Sequence, residues 1–403
     1  MKKRWLMLAF LMIFAAGAVM MTGCGSQKTS SSSASVTAAE EEIVVPPTNP
    51  LTGAGVEDGF DADALNRRIA SFVVENAPDA RPQWGMTDEK YSPDIILQAE
   101  VEGGITRTLW MYADYNKLPE VIGPMRSARP PFIRFARLFD SYFFHWGKSH
   151  TENGYVGANT VFHQEMVSHI DQMHFDDDIG LFDRDHTRNV SSEHTGILYG
   201  DKVPAAIKKM KFRIEPNEYT KLNFNEEVQP LSSKSATSVN VAFSDRSFEA
   251  IIWNYHDDDH MYHTAHFEND LARDNLLILS AETEYQEKTN YKGTGSSVVY
   301  CDYKMKGGKG LILSQGTRKK IKWKVKDHKL ILIDLKETRK ARKEAIAGGM
   351  SEEEAKDIIV EAKLNPGKTW IGWISSNHNG SADVEGEEPE SNEESESEET
   401  TEE

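Results

Sequence analysis

The 403-residue sequence predicts an α+β protein, in which a mixed α/β N-terminal domain precedes a β-rich C-terminal domain with a helical insertion. Three observations support this class. Residues 60–225 mix helical and strand-like spacing, residues 236–334 contain short alternating apolar runs separated by turn residues, and residues 338–363 are rich in Ala, Glu and Lys. Hydrophobic residues make up 39% of the chain, which excludes a wholly disordered or polytopic membrane protein.

The first 24 residues have the organisation of a secretory leader. Lys2-Lys3-Arg4 forms a basic segment, and the apolar stretch Trp5–Met21 is slightly short for a comfortable membrane span. It ends in Met21-Thr22-Gly23-Cys24, which is similar to the lipobox of bacterial lipoprotein precursors. This resemblance implies that residues 1–23 are a signal peptide and that the Cys24 thiol carries a diacylglycerol, which anchors the protein to the membrane. An uncleaved N-terminal helix is the alternative.

Both ends of the mature chain have the composition of flexible segments. Residues 24–48 form a lipidated tether rich in small residues, and residues 379–403 form an acidic tail that we expect to be disordered. The expected location is therefore the extracytoplasmic face of the bacterial cell membrane, with the body held there by its lipid anchor.

Charge and cysteine content narrow the expectations further. The chain has a formal net charge of −18, and residues 381–403 contribute twelve acidic side chains without Lys or Arg. A basic nucleic-acid footprint is missing from this pattern, so we expect no nucleic acid as a partner. Cys24 and Cys301 are the two cysteines of the sequence, so lipidation of Cys24 leaves no intramolecular disulfide. Cys301 lies in an alternating strand pattern that favours a buried thiol.

The N-terminal domain, residues 49–225, contains the signals for both types of element. Asp63–Glu75 and Pro130–Tyr142 show helical spacing, and Thr106–Tyr112 alternates like a strand.

The C-terminal domain, residues 236–378, has eight short alternating runs and is completed by Thr369–Ile374. The runs are Val239–Phe243, Phe248–Tyr255, Met261–Phe267, Leu276–Glu284, Ser296–Tyr303, Gly310–Ser314, Ile321–Val325 and Leu330–Leu335. The insertion, residues 338–363, reads as a helical hairpin because Gly348-Gly349 interrupts it and Ser351 is placed to cap its second helix.

Several short motifs, in order along residues 49–375, resemble the YerB-like lipoprotein family. They are Asn49-Pro50-Leu51-Thr52-Gly53, Arg81-Pro82-Gln83, Asp94-Ile95-Ile96, Val101–Arg107, Ile122–Arg129, His145-Trp146-Gly147-Lys148-Ser149, Arg184-Asp185, Tyr255 with Tyr262, Asn275, Gly293-Thr294-Gly295 and Asn365–Trp370. The resemblance implies a two-domain lipoprotein and supplies no reaction. Three departures from the family pattern are His263 where the family tends to have Arg, the helical insertion, and the acidic tail.

Arg107, Arg126 and Arg129, with Ser127, are the predicted binding site for an anionic ligand. Three neighbouring guanidiniums repel one another unless an anion or carboxylates neutralise them, and the arginine fork matches carboxylate or phosphate. The alternative is a structural network in which Glu102 and Asp140 pair with these arginines.

Glu102, His145 and His194 are the candidate acid–base groups if the site is catalytic, since imidazoles can move protons near neutral pH. No cofactor is expected. No metal site is predicted either. His256, His260 and His263 are the weak candidates for one. They surround a polar turn between two strand-like segments, and a hairpin turn accounts for them without a metal ion, with a divalent-metal site as the alternative.

The sequence therefore predicts a membrane-anchored extracytoplasmic lipoprotein that serves as a binding or accessory protein of the cell envelope. A cell-wall component or an envelope protein is the expected partner. The alternative is an envelope hydrolase or transferase that acts on wall glycan or peptide, so the sequence leaves open whether the protein is an enzyme.

Overall fold

The computed structural model of the chain describes residues 46–152 and 155–387. The predicted signal peptide, the lipidation site Cys24 and residues 388–403 of the acidic tail lie outside the described residues. The predicted tail begins too early, because Ser381–Glu385 forms a strand that pairs with Ser238–Ala242. Within the described part, no helix has both the length and the apolar composition required to cross a membrane.

Strands provide most of the regular structure. In chain order they are β1 (Ala70–Glu75), β2 (Ile95–Glu100), β3 (Thr106–Tyr112), β4 (Val121–Ile122), β5 (Tyr142–His145), β6 (His169–Asp171), β7 (Phe182–Arg184), β8 (Gly196–Tyr199), β9 (Ser238–Ala242), β10 (Ala250–His256), β11 (Met261–Thr264), β12 (Leu271–Arg273), β13 (Asn275–Ala281), β14 (Thr283–Lys288), β15 (Val298–Tyr303), β16 (Gly307–Ser314), β17 (Thr317–Lys326), β18 (Lys329–Asp334), β19 (Thr369–Ser375) and β20 (Ser381–Glu385).

The α-helices are short. They are α1 (Pro130–Leu138), α2 (Ala158–Glu165), α3 (Val203–Lys209), α4 (Leu335–Ala347) and α5 (Glu352–Ala355), and 3₁₀ turns cover Ala62–Asn66, Pro78–Ala80, Ser192–His194, Gly200–Lys202 and Tyr291–Gly293. The predicted α+β class is confirmed.

A ten-stranded mixed sheet organises the fold. Its strand order is β18-β17-β16-β13-β19-β2-β3-β1-β5-β6. A second sheet has the order β12-β11-β10-β9-β20, and smaller sheets pair β14 with β15 and order β4-β8-β7. The large sheet takes strands from both segments that the sequence predicted as domains, because β19 pairs in parallel with β2.

Both faces of the large sheet are buried, which explains the apolar runs of its central strands. In β1, Val73 packs into one hydrophobic core, whereas Phe72 and Val74 pack into the other. Helices α1 and α2 contribute to the first core, and the five-stranded sheet covers the second. Strands buried on both faces lose the simple alternation of a half-exposed strand.

The structure corrects two of the predicted helices. Asp63–Glu75 contains a 3₁₀ turn followed by β1, which pairs with β3 and β5 on either side. Helical spacing is a poor guide there, because a short apolar run buried on two faces can be mistaken for a helix. The predicted helix Pro130–Tyr142 ends earlier, since Asp140 has a φ of 49° and β5 begins two residues later.

The second half follows its prediction closely. The insertion forms two helices, α4 and α5, and Ser351 makes a capping box with Glu354. The run Leu276–Glu284 divides into two strands of different sheets. Cys301 is 4% exposed, and burial raises the pKa of its thiol, as expected for a structural cysteine.

The edge of the large sheet carries a local positive face within this acidic chain. Ile321 and Trp323 of β17 are buried, whereas Lys320, Lys322 and Lys326 on the opposite face are exposed. These lysines have no ion-pair partner among residues 46–152 and 155–387.

Candidate functional site

A cavity of about 340 Å³ lies beside the N-terminal half of the large sheet. Its wall comes from the segment before α1, the turn after β5, the end of β6 and the β7–β8 pair. The residues whose chemistry matters are Arg126, Ser127, Trp146, Lys148, Asp171, Arg184 and Glu193. The sequence singled out two of these residues, Arg126 and Ser127, as ligand contacts.

Arg126 is held at the cavity by one buried and one exposed carboxylate. Its backbone N–H donates to Val73 O at 2.9 Å, which fixes the segment beside β1. Its Nε lies 2.8 Å from Oε1 of the buried Glu75, and its Nη2 lies 3.3 Å from Oε2 of Glu193. The Glu193 side chain is 54% exposed, so this second pair is weak and open to replacement by another anion.

Lys148 and His174 converge on a buried carboxylate in the cavity wall. Asp171, at the end of β6, accepts hydrogen bonds from Lys148 Nζ at 2.5 Å and from the Gly147 N–H at 2.8 Å, and lies 2.9 Å from His174 Nδ1. Burial alone would raise the pKa of Asp171, but His145, Lys148 and the Gly147 N–H outweigh it and lower that pKa. The Asp171 carboxylate is therefore already paired with donors of the protein itself.

Arg184 supplies a third cation on the opposite wall. Its guanidinium lies over the Trp146 ring, 4.5 Å from the ring centroid, and it donates to Ser192 O. Gly196 allows this arrangement, because a Cβ there would lie 2.8 Å from the Trp146 ring. An indole face with a stacked guanidinium gives the cavity a flat, partly apolar wall.

The other predicted arginines form a buried network behind the cavity. Glu102 Oε1 lies 3.0 Å from Arg107 Nη2, and Glu102 Oε2 accepts from Arg129 Nε at 2.7 Å. Burial would raise the pKa of Glu102, but the two guanidiniums lower it to about 2, and burial lowers the pKa of Arg107 to about 10. Arg107 also donates to Ser127 O at 2.8 Å, which connects the network to the cavity rim.

This network corrects part of the predicted site. Arg107 and Arg129 do not line the cavity. Glu102 neutralises both of them inside the protein. The structural alternative holds for these three residues. Asp140, the other carboxylate of that alternative, pairs instead with Arg68 and Arg213.

His145 lies beneath the cavity and is fully buried. Its Nδ1 is 2.7 Å from Gly147 O, so this nitrogen carries the proton, and its Nε2 accepts from His169 Nδ1 at 3.0 Å. Burial lowers the pKa of His145 to about 3 and that of His169 to about 4. The neutral His145 imidazole is hydrogen-bonded at both nitrogens. It therefore supports the floor of the cavity and has no free nitrogen for a ligand.

Acidification is expected to destabilise the fold through His145. Because its folded pKa lies far below the ordinary value, the unfolded chain binds more protons below pH 6.5, and stability falls as the pH decreases from 6.5 towards 3. Between pH 6.5 and 5 the expected loss in the free energy of unfolding is about 1.5 kcal/mol for one such histidine. Denaturant unfolding of His145→Gln should show a flatter pH profile, and the exposed control His186→Gln should match the wild type. Equal slopes for both variants would contradict this assignment.

His194 also does not line the cavity. Its Nδ1 lies 2.9 Å from Glu75 Oε2, so Glu75 bridges His194 and Arg126. The predicted residues thus fall into three separate polar groups. Glu102 pairs with Arg107 and Arg129, Glu75 pairs with Arg126 and His194, and His145 bonds to His169. Of the predicted residues, Arg126 and Ser127 line the cavity.

The histidines of the polar turn lie in the predicted hairpin. Tyr255 of β10 pairs with Tyr262 of β11, His256 stacks on His263 with ring centroids 4.1 Å apart, and His260 contacts the Tyr255 hydroxyl at 3.1 Å. His263 contacts Asp259 and Asp270, the carboxylates beside it. The described residues contain no group of three His, Cys, Asp or Glu side chains arranged to hold a metal ion.

Sequence reasoning missed Lys148, Asp171 and Arg184 as site residues. Lys148 and Arg184 lie within motifs that carried the family resemblance, so that signal was available. Asp171 stands in a segment without any motif, and the pairing of β5 with β6 brings it to the cavity.

Comparisons with known proteins agree with this fold. Residues 51–213 match the family described as "Protein of unknown function (DUF3048) N-terminal domain". A curated relative, "Putative lipoprotein YerB" of Bacillus subtilis, is 32% identical over 168 residues, which cover 42% of this chain and 45% of the relative. The matched region therefore spans less than half the length of that relative.

A crystal structure of the Bacillus subtilis YerB protein is similar in fold. The TM-score is 0.60 with 23% sequence identity, and the alignment covers 81% of this chain and 96% of that chain. Together, the matched family domain, the curated relative and the shared fold support the assignment of this chain to a YerB-like family.

Proposed function

We propose that this protein is an extracytoplasmic lipoprotein that binds an anionic group of an envelope component in the cavity beside Arg126. The observation that carries the proposal is the convergence of three cationic side chains, Arg126, Lys148 and Arg184, on one open cavity. The Cys24 lipobox and the similarity to a relative named as a lipoprotein support the location at the membrane.

Charge and geometry favour a phosphate or a carboxylate as the bound group. In the lining of the cavity, three cations face two carboxylates, Asp171 and Glu193, while the buried Glu75 behind the wall also pairs with Arg126. Asp171 is buried and saturated with donors, whereas Glu193 is largely exposed. A ligand anion would replace Glu193 on Arg126, because an exposed pair contributes little stability of its own. Paired donors of a guanidinium then contact two oxygens of the ligand.

Binding is better supported than turnover. An enzyme would use His145 or His194 near the ligand, but His145 is buried with a pKa lowered to about 3 and His194 is bonded to Glu75. The hydrolase or transferase alternative would need a different acid–base group at this cavity. Exposed histidines at its rim, His150 and His174, are the residues such a mechanism would use.

Calorimetric titration with inorganic phosphate, and with citrate as a carboxylate probe, tests the proposal. Arg126→Gln is expected to weaken binding about tenfold, because a charge-assisted bidentate contact is lost. Arg134→Gln is the matched control, since Arg134 is also an ion-paired arginine with a 23% exposed side chain and lies outside the cavity.

Glu193→Gln gives a prediction of opposite sign. Removing the carboxylate that competes for Arg126 is expected to tighten binding of the same probe several-fold. Equal affinities for the wild type, Arg126→Gln and Glu193→Gln would contradict the proposal. Preference for phosphate over citrate would point to a phosphorylated envelope component, and the reverse preference to a carboxylate-bearing one.

A further inference from the structure

A second cavity, of about 630 Å³, lies at the end of the central strands of the large sheet and is separate from the Arg126 cavity. Distant parts of the chain build it. The segment containing Asn49 and Thr52 forms one wall, Asp94 and Tyr112 lie at the ends of β2 and β3, and Lys368 precedes β19. Its volume is in the range of small-molecule sites.

Two of the family-like motifs meet at this cavity, and the Arg126 site uses neither of them. Asn49 Oδ1 accepts from Leu51 N at 2.8 Å, and Thr52 O accepts from Gly367 N at 2.8 Å. Gly367 has a φ of 135°, and a Cβ there would lie 2.2 Å from the Asp274 carboxyl carbon. The Asn49–Gly53 and Asn365–Trp370 motifs therefore contact each other and both contribute to the wall of this cavity.

Buried polar atoms at the cavity are left without protein partners. Tyr112 is 2% exposed and Asp114 is 7% exposed, both line the cavity, and Tyr112 Oη and Asp114 Oδ2 have no hydrogen-bond partner among the described residues. A buried polar group without a partner costs about 1–3 kcal/mol. The Tyr112 hydroxyl can donate a hydrogen bond and Asp114 Oδ2 can accept one. A ligand that carries both an acceptor and a donor would satisfy the two atoms.

An unpaired guanidinium stands next to this wall. Arg273 is 2% exposed, and its Nε and Nη2 have no hydrogen-bond partner among the residues that the structure describes. The charged and titratable groups that influence it are Asp274, Tyr112 and Asp94, all of which line the cavity. Arg273 itself does not line the cavity, and its Nη1 donates to Ala272 O at 2.7 Å, so it acts on the lining carboxylates through its charge from behind the wall.

The cavity has acids and bases in balance, unlike the cationic Arg126 cavity. Its lining carboxylates are Asp58, Asp94, Asp114 and Asp274, and its cations are Lys90, Lys117 and Lys368, with Arg273 adjacent. Without a net field, the cavity has no preference for a strongly charged ligand. Phe60 and Tyr91 add aromatic surface to the lining.

We infer that this cavity binds an uncharged polyhydroxylated ligand of the saccharide class. Sugar hydroxyls donate to carboxylates such as Asp94 and Asp114 and accept from Tyr112 and Lys368, so one ligand satisfies the unpartnered acceptor and the unpartnered donor. Ring C–H faces pack on aromatic side chains such as Tyr91. The inference is independent of the anion proposed for the Arg126 cavity.

Titration of the purified protein with N,N′-diacetylchitobiose, and with maltose as a saccharide without acetamido groups, tests this inference. Saturable binding of at least one probe is expected, with amide NMR shifts at Ala113 and Lys368, whose N–H groups donate to Asp94 and Asp274. Tyr112→Phe removes an unpartnered hydroxyl, leaves the fold intact and is expected to weaken binding about tenfold.

Tyr142→Phe is the control, because this buried tyrosine donates to Arg213 O outside the cavity. Arg126→Gln should leave saccharide binding unchanged, which separates the two sites. The inference is overturned if neither probe saturates, if Tyr112→Phe binds as the wild type does, or if the shifts occur only around Arg126.

Discussion

Replacing Glu102 with glutamine is expected to lower the free energy of unfolding by about 3–5 kcal/mol, because two buried guanidiniums then lose their shared carboxylate. Arg107 and Arg129 have side chains that are only 2% and 8% exposed, and Glu102 contacts both. Burial of an unpaired cation is costly, and here one substitution would leave two of them uncompensated.

Denaturant unfolding at pH 7 measures this effect. Glu353→Gln is the control, since Glu353 forms a solvent-exposed pair with Lys356 and its loss should leave stability nearly unchanged. Adding Arg107→Met to Glu102→Gln should recover part of the loss, because the double variant buries one unpaired cation fewer. A loss below about 1 kcal/mol for Glu102→Gln would show that the network does not stabilise the fold.

Separating the two halves of the chain is expected to abolish folding altogether. Residues 46–229 contain β1 to β8, and β2, which is central in the intact sheet, takes its second partner, β19, from the other half. The parallel register runs from Ile95 opposite Thr369 to Ala99 opposite Trp373, and Trp370 Nε1 donates to Gln98 Oε1 at 3.1 Å. The isolated segment would expose this edge together with the core that the five-stranded sheet covers.

Circular dichroism and denaturant unfolding of residues 46–229 test this prediction. The expected result is no cooperative transition, whereas the intact chain unfolds in one step. The control replaces residues 340–356, most of the helical insertion, with a short Gly/Ser linker and should retain a cooperative transition. A cooperative transition for residues 46–229 alone would show instead that the N-terminal segment is an independent domain.

Local structure was well predicted where the sequence of a strand alternates, including β3, which is buried along its whole length. The alternation around Ile321 and Trp323 matches β17, and Thr106–Tyr112 coincides with β3. Prediction failed at Asp63–Glu75, where burial on both faces of β1 removed the alternation. The pairing of β19 with β2 could not be read from either segment, because composition and periodicity do not specify partners distant in sequence.

The candidate site was only partly predictable for the same reason. The three neighbouring arginines of the sequence, Arg107, Arg126 and Arg129, led to the prediction of Arg126 and Ser127 as ligand contacts. Residue types alone could not show that Glu102 neutralises Arg107 and Arg129, since the carboxylate meets both guanidiniums only after β3 and α1 are in place. Asp171 entered the site through strand pairing. The arginine-rich motif therefore combines a structural network with a binding surface.

An amide NMR titration of the protein with inorganic phosphate tests the central claim most directly. If the Arg126 cavity binds anions, saturable shifts are expected at Ser127, Gly147 and Lys148, and Arg126→Gln should suppress them. Ala113 and Lys368, at the second cavity, should not move. Shifts confined to the lysines on the exposed face of β17, or the same shifts in Arg126→Gln as in the wild type, would contradict the claim.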